Sequence, residues 1–247
     1  MPEEPATSTE VRWFTSLEST NSYLLEEARR GAPEWLVAVA DFQTHGRGRR
    51  GRSWIAPPGA SLLASVLLRP ELPPERFQLV SIVSGIAMTR AVQRVAGFLP
   101  SLKWPNDLVV GDRKLAGLLA ESEGDAVVVG IGVNVEWRDF PPELAATATA
   151  CNLEAGRAID RRELLSAFLA ELEQRYPKID VVIDDYRALL ATLGRRVRVE
   201  RHDGELVGRA VDVGDAGELV VEVAGRGLVA VHVGDVVHLR DAALNGL

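Results

Sequence analysis

Hydrophobic and polar positions along this chain follow two rhythms. Up to about residue 190, helix-spaced stretches mix with strand-like runs; beyond Gly194 only short strand-like runs remain. Ser19-Thr20-Asn21 offers cap residues for a helix reaching Arg30, closed by Gly31 with Pro33 behind it. Residues 36–40 and 61–68 read as apolar strands. Pro73-Pro74 opens a long helix that carries Leu79, Ile82, Val83, Ile86 and Ala87 on one face and ends at Gly97. Residues 108–110, 114–121 and 126–135, separated by Gly111-Asp112 and Glu123-Gly124-Asp125, predict an antiparallel meander. Asp160 with Glu163 starts a helix to Tyr176, and a short helix over 186–193 stops at Gly194. Runs at 197–201, 206–213, 219–223, 228–233 and 236–239, divided by Gly- and Asp-containing turns, predict a small β-barrel. The reading is an α+β protein: a disordered tail over 1–10, a larger domain over 11–190 and a small domain over 191–247.

Composition narrows the function. A chain of 247 residues with 47% hydrophobic content can bury a substantial core. A net charge of -7 argues against a general nucleic-acid binder, which needs a basic surface. Cys151, the lone cysteine, excludes an internal disulfide and fits a reducing compartment; a buried inert thiol outweighs a nucleophile there. No apolar run reaches the ~20 residues of a membrane span, and the start lacks the pattern of a signal peptide. A cytoplasmic protein without membrane or DNA partners is expected.

Against that acidic background, Gly46-Arg47-Gly48-Arg49-Arg50-Gly51-Arg52 stands out, with four arginines and no acid. Glycines let a backbone approach a ligand and turn N–H groups toward an anion, and guanidinium forks suit phosphate and carboxylate. A solvated basic loop or a nucleic-acid patch accounts for the same residues, although Trp54 is its only nearby aromatic. In Lys103-Trp104-Pro105-Asn106-Asp107, Pro105 keeps Trp104 out of the helical region, giving either a turn or a ligand edge. Lys114-Leu115-Ala116-Gly117 embeds a lysine among apolar strand residues and allows close approach at Gly117. Gly130 and Gly132 share one sheet face and would leave a slot with Asn134 at its mouth; a bulge or bend is the alternative. These features together describe a site for two anions. Metal-ligand spacing, a Walker loop and a nucleophile elbow are all missing, and His45, His202, His232 and His238 are scattered.

In this order and spacing, Ser19-Thr20-Asn21, Gln43, the arginine loop with Trp54, Lys103 to Asp107, Lys114 to Gly117 and Gly130 to Asn134 resemble the biotin protein ligase family. The resemblance runs from about residue 11 to about residue 240. It implies a catalytic domain related to class II aminoacyl-tRNA synthetases, with an SH3-like domain behind it. It also implies that ATP and biotin are the substrates, that Mg²⁺ assists through unassigned ligands, and that a lysine of a biotin carboxyl carrier protein is the acceptor. Ser19, Thr20, Asn21 and Gln43 would hold the biotin head group. Arg47, Gly48 and Arg49 would cover biotin and the phosphate, and Gly117 and Gly132 would let the ligand lie against the sheet. Lys114 would meet the carboxylate and α-phosphate, Trp54 would help form the adenine pocket, and Arg52, Asn106 and Asn134 would serve the nucleotide. Asp107 would also lie on the nucleotide side and orient the acceptor amine or take its proton. Lys114, Arg47 and Asp107 are the catalytic candidates. Some members of the family carry a winged-helix repressor domain ahead of this core; roughly ten residues precede it here, so no DNA-reading helix is expected. A monomer or weak homodimer is expected. The arginine loop over 44–54 is expected to be mobile until an adenylate supplies its counter-charge. A lipoate or octanoate transferase of related fold, a nucleic-acid module and a non-catalytic sensor are the competing readings.

Overall fold

In a computed structural model, which describes residues 9–202 and 204–239, the elements form two sheets. The first holds β1 (Glu10–Leu17), β2 (Leu36–Gln43), β3 (Ser61–Leu68), β4 (Ser101–Lys103), β5 (Asp107–Val110), β6 (Arg113–Glu123) and β7 (Ala126–Asn134). Their order is β1-β2-β3-β7-β6-β5-β4. The expected meander is present as β5-β6-β7. The sequence pattern did not predict β4, a three-residue strand before the Trp104 turn. Only β1 and β2 run parallel; the other pairs are antiparallel. Glu10, assigned above to the tail, begins β1, and the rest of that expected tail up to residue 8 lies outside the described residues.

The helices are α1 (Thr20–Arg29), α2 (Gln78–Ala96), the short α3 (Pro142–Ala145) and α4 (Cys151–Ala155), α5 (Arg161–Arg175) and α6 (Ile183–Leu189). Ser19 caps α1 by accepting from the Ser22 N–H, and Asp160 caps α5 by accepting from the Arg162 and Glu163 N–H groups. Gly97 ends α2 with φ 85, a conformation a side chain would strain. The long helix is a one-turn 3-10 segment, Pro74–Arg76, followed by α2. Together they are long and apolar enough to span a membrane, which the sequence reading had excluded. That stretch is 83% buried, however, so it is a core helix.

Every residue of β3 is buried because both sheet faces are covered there. Leu62, Ala64, Val66 and Leu68 join the large core that includes Ile82, Ile86 and Phe168 of α2 and α5. On the opposite face Leu67 packs with Leu24 and Ala28 of α1. Leu63 and Ser65 also lie on that opposite face; Thr20 and Asn21 at the start of α1 cover Ser65, and beyond it, at Leu63, the sheet is free to form a cleft.

The second sheet comprises β8 (Arg196–Arg201), β9 (Gly204–Val213), β10 (Leu219–Val223), β11 (Gly227–Val231) and β12 (Asp235–His238), in the order β11-β10-β9-β8-β12. It is antiparallel throughout. Trp104 ties it to the first sheet. This side chain is 1% exposed, its indole N–H donates to the Gly217 carbonyl at 2.9 Å, and its backbone N–H donates to Thr192 Oγ1 at 3.0 Å. Of the two readings left open above, Trp104 itself takes the structural one.

His238 lies at the same seam, with Nε2 3.2 Å from Thr192 Oγ1. Burial, and then the charges of Lys103 and Arg195, push its pKa down to about 4. An unfolded histidine titrates near ~6.5, so between those values the unfolded chain binds the proton first and stability falls as the pH is lowered. Below about 4 both states are protonated and this contribution is fully lost. Replacing His238 with Gln should flatten the stability profile between pH 6.5 and 4 in denaturant titrations. An unchanged slope would place that pH dependence on other groups.

Candidate active site

Two rows across the first sheet build the floor of the cleft. Residues directly opposite in a ladder point to the same face. One row runs Leu63, Gly132, Gly117, Asp107, Lys103, and the next runs Ser65, Gly130, Leu119. Three of these positions are glycines, so the middle of this face has no side chains of its own. The protein's other elements use that room. A Cβ on Gly132 would lie 2.6 Å from the Trp54 ring, and one on Gly130 would lie 2.2 Å from Asn21 Oδ1. The slot predicted from Gly130 and Gly132 therefore exists, with Asn21 and Trp54 laid directly on its floor.

Asp107 and Lys114 form an ion pair of 2.7 Å at the edge of the cleft, and Lys114 Nζ is 5.5 Å from the Trp54 ring centroid. Lys114 is fixed through its backbone. Its N–H donates to Thr147 O, and its carbonyl accepts from the Thr149 N–H. The connection between β7 and α4 thus straps down the lysine, a contact that spans more than thirty residues of chain and has no local sequence signal. Lys103, at the end of the first row, has its pKa lowered by burial and by Lys114, against the opposing pull of Asp107.

At the other end of the cleft a polar cluster lies under the start of α1. Gln43 Oε1 accepts from the Thr20 N–H at 2.7 Å and lies 3.0 Å from Thr20 Oγ1. Ser65 Oγ, fully buried, is 2.7 Å from Thr20 Oγ1 and 2.6 Å from Asn21 Oδ1. These are three oxygen–oxygen contacts between groups that own only two hydroxyl hydrogens. The cluster is short of one donor, so a ligand bringing N–H groups fits it. Ser65 was missed by the sequence reading, where it is one serine in an apolar strand.

The arginine segment folds as a small hairpin. Arg47 and Ser53 form a bridge, and the Trp54 N–H donates to Gly46 O at 2.9 Å. A Cβ on Gly46 would meet Trp54 O at 2.4 Å, so glycine is required there. The counter-charge comes from distant elements. Arg47 pairs with Glu121 of β6 at 2.5 Å. Asp235 of β12 receives Arg52 at 2.6 Å, Arg50 at 3.6 Å and Arg49 at 3.8 Å. Arg49 also donates to Asn106 Oδ1 at 3.2 Å. The mutual repulsion that made the segment look mobile in isolation is therefore met within the protein itself. The small domain's Gly234-Asp235 reads as an ordinary turn in the sequence, so its part in the site was not foreseen.

All the candidate residues line this one cleft except Asn134. Asn134 is buried below it, donating to Thr149 O at 3.0 Å and accepting from Ser61 Oγ at 3.4 Å. Two residues beyond Gly132, the strand has passed under the strap, so Asn134 holds the strap and does not reach the cleft. Asn21 spends both amide donors on Leu119 O and Glu121 Oε2, which leaves only its oxygen for a ligand. Trp54 Nε1 is a buried donor without a partner among the described residues. Among those residues no group of three or more His, Cys, Asp or Glu could hold a metal ion.

Comparison with known proteins places this arrangement in a class. The profile of the Biotin/lipoate A/B protein ligase family matches residues 13–136, and that of the Biotin protein ligase C terminal domain matches residues 192–239. The biotin–[acetyl-CoA-carboxylase] ligase of Mycobacterium tuberculosis is 41% identical over 90% of this chain and 86% of its own length. The bifunctional ligase/repressor BirA of Bacillus subtilis is 31% identical over 89% of this chain and 71% of its own. The biotin protein ligase from Aquifex aeolicus, solved in complex with biotin and ATP, superposes with a TM-score of 0.81 at 28% identity, covering 95% of this chain and all of that one. The chain belongs to the biotin protein ligase family and is accordingly an enzyme that forms an amide bond.

Asp235 lends itself to a direct test. Single exposed ion pairs contribute ~0–1 kcal/mol, whereas one carboxylate shared by three guanidinium groups acts as a network. Asp235→Asn should speed hydrogen exchange of the peptide covering Gly46 to Trp54 several-fold while leaving β9 unchanged. Equal exchange in both proteins would mean that Asp235 does not hold the hairpin.

Proposed function

We propose that this cleft activates biotin with ATP as biotinyl-5'-adenylate and then transfers biotin to a lysine of a biotin carboxyl carrier protein. The observation that carries the proposal is the meeting of Lys114, Arg47 and Arg49 over a glycine floor, next to a polar cluster short of one hydrogen-bond donor. A ring N–H of biotin would donate to Thr20 or Gln43 at the cleft wall, with Ser65 buried behind them. The carboxylate would then extend along the glycines toward Lys114.

In the first step a carboxylate oxygen forms a bond to the α-phosphorus, the bond to the β-phosphate bridging oxygen breaks, and pyrophosphate leaves. Bringing the two anions together costs about 4 kcal/mol at 4 Å and an effective dielectric of 20. Lys114 and the hairpin arginines are placed to offset that repulsion. Trp54 Nε1 offers a donor on the nucleotide side, and the hairpin above it keeps water from the mixed anhydride. As Lys114 turns toward the phosphate, Asp107 loses its partner and becomes free to meet the acceptor amine. A free lysine has a pKa of about 10.4 and is mostly charged, so a carboxylate that orients it and takes its proton assists. The amine nitrogen then bonds to the biotin carbonyl carbon, the carbon–oxygen bond to AMP breaks, and one proton is lost.

For Mg²⁺, the residues of the cleft offer no dedicated site: Asp107 is its one lining carboxylate, and Lys114 already pairs with it. An ion carried on the nucleotide's phosphates with its own waters is compatible with such a lining, and no step above depends on a protein-bound metal. Use of ATP fits a cytoplasmic setting.

Biotin-dependent exchange of labelled pyrophosphate into ATP tests the reading. The wild-type protein should catalyse it with biotin and not with lipoate. Lys114→Ala should lose about 100-fold or more, the scale of removing a preorganised charge-stabilising donor, with the fold intact by circular dichroism. Exchange supported by lipoate alone, or near-normal exchange in Lys114→Ala, would overturn the assignment.

A further inference from the structure

One carboxylate lies between the polar cluster and the arginine hairpin. Glu121, near the end of β6, directs Oε2 at two partners: Asn21 Nδ2 at 2.9 Å and Arg47 Nη2 at 2.5 Å. Asn21 in turn accepts from Ser65 at 2.6 Å and donates to Leu119 O at 3.0 Å. A continuous chain of contacts thus runs Ser65, Asn21, Glu121, Arg47, from the buried end of the cleft to its cover. We propose that Glu121 is a positioning residue that couples occupation of the head-group cluster to closure of the hairpin. This rests on the cluster being the biotin head-group site.

The physical case begins with exposure. Arg47 is 42% exposed and Glu121 28% exposed, so an unassisted pair would be weak. What distinguishes this one is that the carboxylate is already oriented. Asn21 holds it, and Asn21 is itself held at both ends and seated on Gly130, where any Cβ would strike its amide oxygen. Glu121 therefore loses little rotamer freedom when Arg47 arrives. The same geometry transmits in the other direction. N–H groups of a bound ring engage Thr20, whose hydroxyl touches the buried Ser65 that in turn holds Asn21, and a fixed Asn21 fixes the acceptor that Arg47 uses. Linkage requires the effect to be mutual: a closed hairpin must raise ligand affinity by the factor by which ligand favours closure. Neighbouring Glu123 differs. It pairs with Arg29 at the exposed end of α1 and touches neither the cluster nor the hairpin, so it serves as a control.

Two measurements test the coupling. Trypsin should cut the ligand-free Glu121→Gln protein after Arg47 about 3 to 5 times faster than wild type, the factor an ion pair of this exposure carries. Asn21→Ala, which leaves Glu121 in place but unsupported, should also speed the cut, and Glu123→Gln should not. These comparisons need no ligand and stand even if the wild-type protein fails the pyrophosphate-exchange test. In biotin titrations by calorimetry, Glu121→Gln and Arg47→Gln should each weaken binding several-fold, and the double variant should be no weaker than the worse single. Wild-type cleavage rates in both Glu121→Gln and Asn21→Ala would overturn the proposal. So would losses that multiply in the double variant, since Glu121 would then act independently of Arg47.

Discussion

Three glycines on one face of β6 and β7, with Gly117 opposite Gly132 and Gly130 two residues along, are the constraint on which the rest of the site depends. A sheet face normally carries a side chain at every second residue. Here Gly117, Gly130 and Gly132 remove those side chains from adjoining positions, and the sheet becomes a flat backbone surface. Asn21 and Trp54 can touch it only for that reason, as the clashes of any added Cβ show. Their placement in turn orients the groups above them: Asn21 directs Glu121, and Trp54 gives Lys114 an aromatic neighbour. Enlarging Gly130 or Gly132 would displace Asn21 or Trp54, and enlarging Gly117 would press on Lys114, without touching the main core on the other side of the sheet.

Charge is managed on a longer scale. Four arginines within six residues cannot be neutralised by their own segment, and the protein brings Glu121 from β6 and Asp235 from β12 to do so. The small domain therefore meets the arginine hairpin through Asp235, with the Gly234 and Glu200 carbonyls accepting from Arg49 and Arg50 beside it. Trp104 secures the same seam from the other side, with its indole bound to Gly217. An anionic ligand entering the cleft meets arginines already gathered and oriented, at the cost of competing with carboxylates for them. Most of these arginines are exposed, so giving up a carboxylate for a ligand anion costs each of them little.

Asp107 and Lys114 follow the same principle. They neutralise each other across the edge of the cleft. Both side chains are partly exposed, so the pair holds them in place at the cleft without either charge being buried.

Much of this was legible in the chain because it depends on local chemistry. Ser19 and Asp160 cap helices by means of side chains that reach their own next turn, and Gly97 accepts a backbone angle that other residues resist. The period-two spacing of Gly130 and Gly132 is enough to put both on one face. Embedding Lys114 among apolar neighbours marks it whatever lies around it. Ser65, Glu121 and Asp235 carried no such mark. Each is an ordinary residue in its segment, and meets the residues around the cleft only because the strand order sets β3 beside β7 and β6 beside β7, and because β12 lies across from the hairpin. Asn134 shows the reverse case: its spacing from Gly132 suggested the cleft, but the strap from Val135 to Cys151 covers the sheet at that point and claims its amide. Residue type and periodicity determined the elements, their caps and the chemical character of the site. Which side chains meet was decided by strand order and by long-range packing, because those contacts join positions separated by up to nearly two hundred residues of chain.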